Sequence, residues 1–395
     1  MTSMQRPSPT TVFLITAGCF LAFFAFGFTD NLKGATLPVM LADLNFSYGV
    51  GGNIFFGEYL GFLIATLLTG FLADKFGLKM VIILAGVCLA LGVSGYSSFS
   101  AAFALSASLF TIGLGLGALE LGPNAIIVNL HHEHKGLYLN LMAVLHGLGS
   151  MLAPLFAGWL LGLSVSWRVI YRWDLLIIAV LILYFIFLRF PRPEAQEKNQ
   201  LNFREIPQVA FKGQLPWFHA AIALYVAAEI GMASWLVTFL QQVRHFSVAA
   251  SSQALAFFFG MLMLGRFLGG FVVHRVGYLR SILLAAIGAV VCILVGLFGP
   301  PSLSLALPLT GLFFSIIFPT ITAAVSDAHP ENINTILGVL YTFAGLGALL
   351  GPWLVAWSSN LFGLATGFSV NLILASLLFL VSFILLKGKL RDSKT

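Results

Sequence analysis

Residues 70–79 read GFLADKFGLK, and residues 270–280 read GFVVHRVGYLR. Each is a glycine-bounded basic turn that follows a long apolar run, and the two copies begin 200 residues apart (270 minus 70). Other pairs keep nearly the same register. Gly147-Leu148-Gly149 with Pro154 matches Gly345-Leu346-Gly347 with Pro352, Pro123 matches Pro319, and Asp30 falls opposite Glu229, all at offsets between 196 and 200. A repeat of this period over most of the chain predicts two similar halves, each folding as a helical bundle around a shared central site.

The solvent of those bundles follows from composition. Of 395 residues, 59% are hydrophobic and 9% charged, with mean hydropathy +0.99. Globular chains run near about 45–50% apolar and about 25% charged, so a soluble enzyme is excluded. A run of about 18–25 apolar residues crosses a bilayer. Twelve such runs are present: roughly 12–41, 50–72, 80–98, 101–129, 137–163, 173–190, 215–240, 250–272, 280–299, 301–326, 334–358 and 364–386. The expected fold is therefore an all-α membrane protein of twelve transmembrane helices in two pseudo-symmetric six-helix bundles. Residues 1–191 and 215–395 form the bundles, and the polar stretch 192–214 is a cytoplasmic linker.

Charge gives the orientation. Of 20 Lys and Arg, 15 fall on one side: Arg6, Lys75, Lys79, Lys135, five from Arg189 to Lys212, Arg275, Arg280 and four from Lys387 onward. Arg168, Arg172 and Arg244 lie opposite, and Lys33 and Arg266 lie within spans. The positive-inside rule then makes both termini and the linker cytoplasmic. The net charge of +6 is a topology signal, which argues against a nucleic-acid partner. The short polar start is not a cleavable leader. Cys19, Cys88 and Cys292 sit in apolar runs without CxxC spacing and read as reduced core thiols.

A charge at mid-membrane costs roughly 2.5–3.5 kcal/mol on insertion scales, so each one there needs a reason. Asp30, Glu58, Glu120 and Glu229 are the acids noticed, with Lys33, Arg266 and His146. Glu58 and Lys33 read equally as a structural pair, and Arg266 reads as a snorkelling base or a brace for the basic turn. Glu120 has no base near it in sequence and has Asn124 one turn along its face, an arrangement suited to binding and releasing a proton. His146 titrates in the physiological range and is a second candidate carrier.

Over its whole length the chain resembles the major facilitator superfamily. Gly70 to Lys79 satisfies the signature G-x-L-A-D-[RK]-x-G-x-[RK]. The resemblance makes this turn a conformational latch built on Gly70, Asp74, Lys75 and Gly77. Asp74 would cap a neighbouring helix and pair with a base, and Arg275 would serve the second copy, where His274 replaces the acid. Leu119-Glu120-x3-Asn124, Leu139-Asn140-Leu141 and Tyr225-Val-Ala-Ala-Glu229 with Trp235 further resemble the fucose/glucose/galactose–proton symporter branch. By that resemblance Asp30 and Glu120 carry the coupling proton. Ala143 and His146 stand where the branch has amides, which leaves the sugar class open.

The reading is a secondary transporter that moves a small polar solute such as a monosaccharide inward with a proton by alternating access. Asp30, Glu120 and His146 couple, and Asn31, Asn124, Asn140, Glu229, Trp235 and Tyr341 face substrate. No cofactor or metal is expected, with H⁺ as coupling ion and Na⁺ the alternative. The partners are solute and bilayer, the chain acts as a monomer, and the location is a bacterial inner membrane. Other readings are an antiporter or exporter of an amphipathic compound, and a sensor or lipid-moving protein. His131-His132-Glu133-His134, in a hydrated loop without Cys, lacks a selective ligand geometry. Trp167 and Trp173 are expected as interfacial anchors. A green fluorescent protein fused at the C-terminus should fluoresce and an alkaline phosphatase fused there should stay inactive; the reverse pattern would invert the topology.

Overall fold

The computed structural model describes residues 8–190, 209–329 and 332–392, and among these it contains helices and no strand. The first six helices are α1 Pro9–Asp43, α2 Tyr48–Phe76, α3 Leu78–Tyr96, α4 Ala102–Leu130, α5 Lys135–Gly162 and α6 Trp167–Phe187. Next come α7 Leu215–Gln242, α8 Val248–Val276 and α9 Tyr278–Phe298. A 3₁₀ turn at Pro301–Leu305 leads to α10 Ala306–Phe314 and α11 Ile317–Ala328, then α12 Ile333–Phe362, α13 Leu364–Phe368 and α14 Val370–Asp392. Twelve stretches are long and apolar enough to cross a membrane, with Pro301–Ala328 and Leu364–Gly388 each made of more than one element. Most of the expected linker lies outside the described residues.

The sequence repeat reappears in backbone geometry. Asn45 and His245 both take the left-handed conformation (φ 52° and 58°) at the ends of α1 and α7. Two residues later Ser47 accepts from Val50 N at 3.4 Å and Ser247 accepts from Ala250 N at 3.2 Å, opening α2 and α8. Gly77 and Gly277 (φ 82° and 85°) make the turns into α3 and α9, a conformation a β-carbon disfavours. The quoted glycines therefore do the same backbone work in both copies.

Two elements differ from expectation. The sixth span starts at Trp167, because Ser166 caps it by accepting from Arg168 N at 3.3 Å. Trp167 is consequently buried, edge-on to Tyr96 at 5.5 Å, and only Trp173 keeps the exposure of an interfacial anchor. The tenth span breaks between α10 and α11, where the Ser315 hydroxyl turns back to Leu312 O at 2.6 Å.

Contacts divide the chain into two units. Among the described residues the first comprises 8–32, 57–153 and 163–190, and the second 33–56, 154–162 and those from 209 onward. Within each, glycines let helix backbones meet. In the first, a β-carbon at Gly113 of α4 would collide with Glu58 O of α2, and one at Gly149 of α5 with Phe24 O of α1. In the second, Gly311 stands likewise against Phe258 O, and Gly347 against Ala223 O. Lipid offers no hydrophobic drive between helices, so such close approach, with its dispersion contacts, selects the pairs.

The second unit also gathers the ends of α1, α2 and α5 remote from the basic loops. Gly52 abuts Ala356, Gly158 abuts Ser252, and a β-carbon at Gly34 would meet Ala233 O at 2.8 Å. Tyr48 donates to Gln242 at 2.6 Å and Trp353 Nε1 to Asn53 at 3.0 Å. That end is sealed by packing and hydrogen bonds together.

At the other end His131 closes the first unit, its Nε2 2.7 Å from Thr16 Oγ1 and its ring stacked on Tyr138 at 3.6 Å. Those contacts occupy one face and one nitrogen of the ring. Burial first, and the His134 charge second, hold its pKa below the ordinary value.

Two outcomes follow. Gly113→Leu should cost on the order of 1–3 kcal/mol or more through forced separation of α2 and α4. It should lower Tm in detergent, whereas Gly136→Ala, with open space around its α-carbon, should leave Tm unchanged. His131 folds with its neutral ring favoured, so its stabilisation is complete above pH 6.5 and is lost as pH falls through the depressed folded value. The Tm advantage of wild type over His131→Ala should shrink between about pH 7.5 and about pH 5.5.

Candidate functional site

On α1, three consecutive residues take three different environments. Thr29 is buried and donates to Asp174 Oδ1 on α6 at 3.1 Å. Asn31 is buried and its Nδ2 donates to Gly27 O at 2.9 Å and to Ser150 Oγ on α5 at 3.0 Å. Asp30, between them, keeps partial exposure. Successive helical residues point about 100° apart, so Asp30 stands on a face of α1 between those that carry Thr29 and Asn31. The expectation of Asn31 facing substrate is therefore corrected: its amide is engaged within the first unit.

His146 on α5 lies where that helix meets α1, since a β-carbon at Gly27 would collide with the His146 carbonyl. Phe26 and Phe23 approach its imidazole edge-on, at 4.6 and 6.4 Å. Asp30 is one turn along α1 from that crossing, so the structure brings these two titratable groups onto one helix pair. Glu120 is partly exposed on α4. Asn124 turns back to the Glu120 backbone carbonyl at 2.7 Å, committing one amide hydrogen to its own helix. Asn140 is exposed in the second turn of α5. Glu58 and Lys33 are buried, Lys33 with its ammonium 6.0 Å from the centre of the Phe55 ring.

The second unit holds a different constellation. Tyr225 and Glu229 are one turn apart on α7, and the Glu229 carboxylate and the Arg266 guanidinium of α8 act electrostatically on each other and on the Tyr225 phenol. Arg266 is exposed, and its charge acts on an acid of the preceding helix. Phe318 on α11 stacks on Tyr341 of α12 at 5.6 Å and 18°, and its other neighbour is Tyr225 at 6.5 Å. Tyr341 is exposed. A carboxylate, a guanidinium, a phenol and a stacked aromatic pair therefore lie in one region of the second unit.

Trp235, expected as the aromatic platform, is instead fully buried. Its Nε1 donates to Pro352 O at 3.0 Å, and Tyr48 and Phe55 approach it edge-on at 6.0 and 6.3 Å. The accessible platform is Phe318 with Tyr341.

The latch residues are also distributed differently from expectation. Asp74, Lys75 and Arg275 are exposed, and Asp74 has no hydrogen-bond or ion-pair partner among the described residues. Instead Lys79 Nζ donates to Ile186 O at 3.0 Å and Leu188 O at 2.8 Å, the free carbonyls at the end of α6. In the second copy Tyr278 donates to Asp327 at 2.7 Å.

Asp174 is not among the acids singled out in the sequence, because a span of 173–190 puts it at the very start, next to Arg168 and Arg172. The available signal was Ser166 immediately before an apolar-periodic run, an N-cap that moves the helix start upstream and Asp174 two turns into the span.

Comparison with known proteins agrees with this architecture. The sequence profile of the Major Facilitator Superfamily matches residues 19–334. The glucose/galactose transporter of Brucella abortus (strain 9-941) is 24% identical over 370 residues, covering 89% of each chain. Among solved structures, the nucleoside transporter NupG superposes with TM-score 0.82 at 16% identity, covering 96% of this chain and 99% of that one. The E. coli fucose:proton symporter does so with TM-score 0.64 at 20% identity, covering 95% and 99%. A profile spanning most of the twelve helices, over a repeat visible in both sequence and backbone, leads to one statement: the chain belongs to the Major Facilitator Superfamily and is a multi-pass membrane transporter of small molecules, not an enzyme.

Proposed function

We propose that this transporter takes up a monosaccharide together with a proton. The observation that carries the reading is the juxtaposition of Glu229, Tyr225 and Arg266 with the stacked Phe318–Tyr341 pair in the second unit. A sugar presents hydroxyls around its rim and an apolar C–H face. A carboxylate accepts from hydroxyls, a guanidinium donates to their oxygens, and an aromatic face covers the C–H surface. Glu229 and Arg266 offset each other's charge, which suits a neutral polyol.

Proton coupling is assigned to the first unit, to Asp30 and Glu120 with His146. A carboxyl within the membrane is costly when ionised and far cheaper when protonated. Loading a proton at Asp30 or Glu120 therefore lowers the cost of closing the site around substrate, and the empty ionised carrier is held back. Asn124, with its second amide hydrogen, and Asn140 supply further polar contacts for the solute. Within the second unit, the sealed ends of α1, α2 and α5 would part to admit solute from the far side. The named relative transports glucose and galactose and one structural neighbour is a fucose:proton symporter, which supports the sugar and proton assignments. We place the protein in a bacterial inner membrane as a monomer with both termini in the cytoplasm.

A second reading, uptake of a nucleoside, draws on the same stacked Phe318–Tyr341 face, which would hold a base as readily as a sugar. A thermal-shift screen of neutral hexoses, 6-deoxyhexoses and nucleosides against the purified protein separates the two. Phe318→Ala should weaken the ligand that stabilises wild type by about 1–3 kcal/mol, the scale of one aromatic stacking contact.

The coupling assignment is tested in proteoliposomes. Glu120→Gln should abolish accumulation driven by an imposed pH gradient while keeping solute exchange. Full gradient-driven accumulation in that variant would remove Glu120 from the coupling set. Accumulation that follows a sodium gradient at constant pH would replace the proton with Na⁺.

A further inference from the structure

Asp174 is a carboxyl that the mechanism above does not use. It has no solvent exposure, it accepts from Thr29 at 3.1 Å, and its Oδ2 has no hydrogen-bond partner among the described residues. Its own helix buries Ile170, Tyr171 and Ile178 around it. A lone hydrogen bond inside such an apolar layer is strong and costly to leave unmade. It has one connection outward: Thr29, the residue before Asp30.

Rotation of α1 about its axis decides where Asp30 points. Gly27 and Gly149 bring α1 and α5 into backbone contact and set their separation. Beside Asp30, two side-chain bonds hold the rotation of α1, Asn31 to Ser150 on α5 and Thr29 to Asp174 on α6. The holds from Tyr184 to Leu14 O and from His131 to Thr16 lie at the far end of α1, so removing the Asp174 anchor loosens the helix where Asp30 sits.

We propose that Asp174 is a positioning residue for Asp30: through the hydroxyl of Thr29 it fixes the rotation of α1 and so the surroundings in which Asp30 exchanges its proton. The proposal rests on Asp30 being a coupling carboxyl. Other titratable or charged groups in the middle of the first unit's helices are Glu58 on α2, Glu120 on α4 and His146 on α5, with Lys33 one turn further along α1. A change in rotation moves Asp30 relative to Glu58, Glu120 and His146, while Lys33, on the same helix, turns with it.

The test is the pH dependence of Asp30 labelling by dicyclohexylcarbodiimide, read by mass spectrometry on the full-length protein. Thr29→Val and Asp174→Leu should shift the labelling midpoint in the same direction, and Asp174→Asn, which keeps an oxygen to accept from Thr29, should stay with wild type. If Asp174→Leu does not reach the membrane, Thr29→Val carries the same expectation with a side chain of nearly equal volume. Gradient-driven uptake in the same variants should fall by about tenfold, the lower end of what removing a supporting partner costs, with exchange retained. Unchanged midpoints in Thr29→Val and Asp174→Leu would overturn the proposal. So would an Asp174→Asn shift as large as that of Asp174→Leu, because the effect would then belong to the ionisable group and not to the hydrogen bond. Labelling reads Asp30 without any substrate. Wild-type vesicles that fail to accumulate solute under a pH gradient would therefore sink the symport reading alone, and the labelling midpoints would still decide the role of Asp174.

Discussion

Contact between helix backbones at glycine is the constraint on which the rest of this structure depends. In hydrocarbon an apolar side chain gains little by leaving lipid for a neighbouring helix, so association relies on dispersion between closely approaching backbones. Gly113 and Gly311 fix α2 against α4 and α8 against α10, and Gly149 and Gly347 fix α5 against α1 and α12 against α7. Every polar group in the candidate site sits on one of these helices or on one they hold. Asp30 and His146 share the α1–α5 pair, and Glu120 rides on α4. Tyr225 and Glu229 belong to α7, Arg266 to α8 and Tyr341 to α12.

The two units share a scaffold and differ in chemistry. Positions that correspond in the repeat carry Asp30 in one and Glu229 in the other, and Glu229 has an arginine and a phenol beside it. On the proposed reading, duplicated backbone geometry with divergent side chains would let one half take the proton and the other the solute, without either task constraining the other. The sealed end of the second unit shows how access would be controlled. Small residues at Gly34, Gly52 and Gly158 permit tight closure, and two side-chain hydrogen bonds, Tyr48 to Gln242 and Trp353 to Asn53, can be exchanged for water when it opens.

The helices and their repeat were legible in the sequence because both are local or periodic properties. An apolar run of sufficient length has one stable form in a bilayer, since each backbone N–H and C=O must be satisfied within it. The turns at Gly77 and Gly277 were equally readable, because a positive φ favours glycine. The site was legible only where a charge stood alone in an apolar run, as with Asp30, Glu120, Glu229 and Arg266. Asp174 stayed hidden because its depth in the span depends on a cap at Ser166, eight residues upstream.

Sequence by itself therefore determined the solvent, the number of spans, the repeat and the set of groups whose burial demands a purpose. Tertiary structure alone decided which of those groups meet. Trp235 and Asn31 look available in sequence, and packing commits them to Pro352 and Ser150. Phe318 is one of 38 phenylalanines until Tyr341 stacks on it. The physical reason is that hydrophobic length and helix propensity act along the chain. The facing of a side chain, by contrast, is set by how neighbouring helices rotate against each other, and that depends on backbone contacts between residues more than a hundred positions apart.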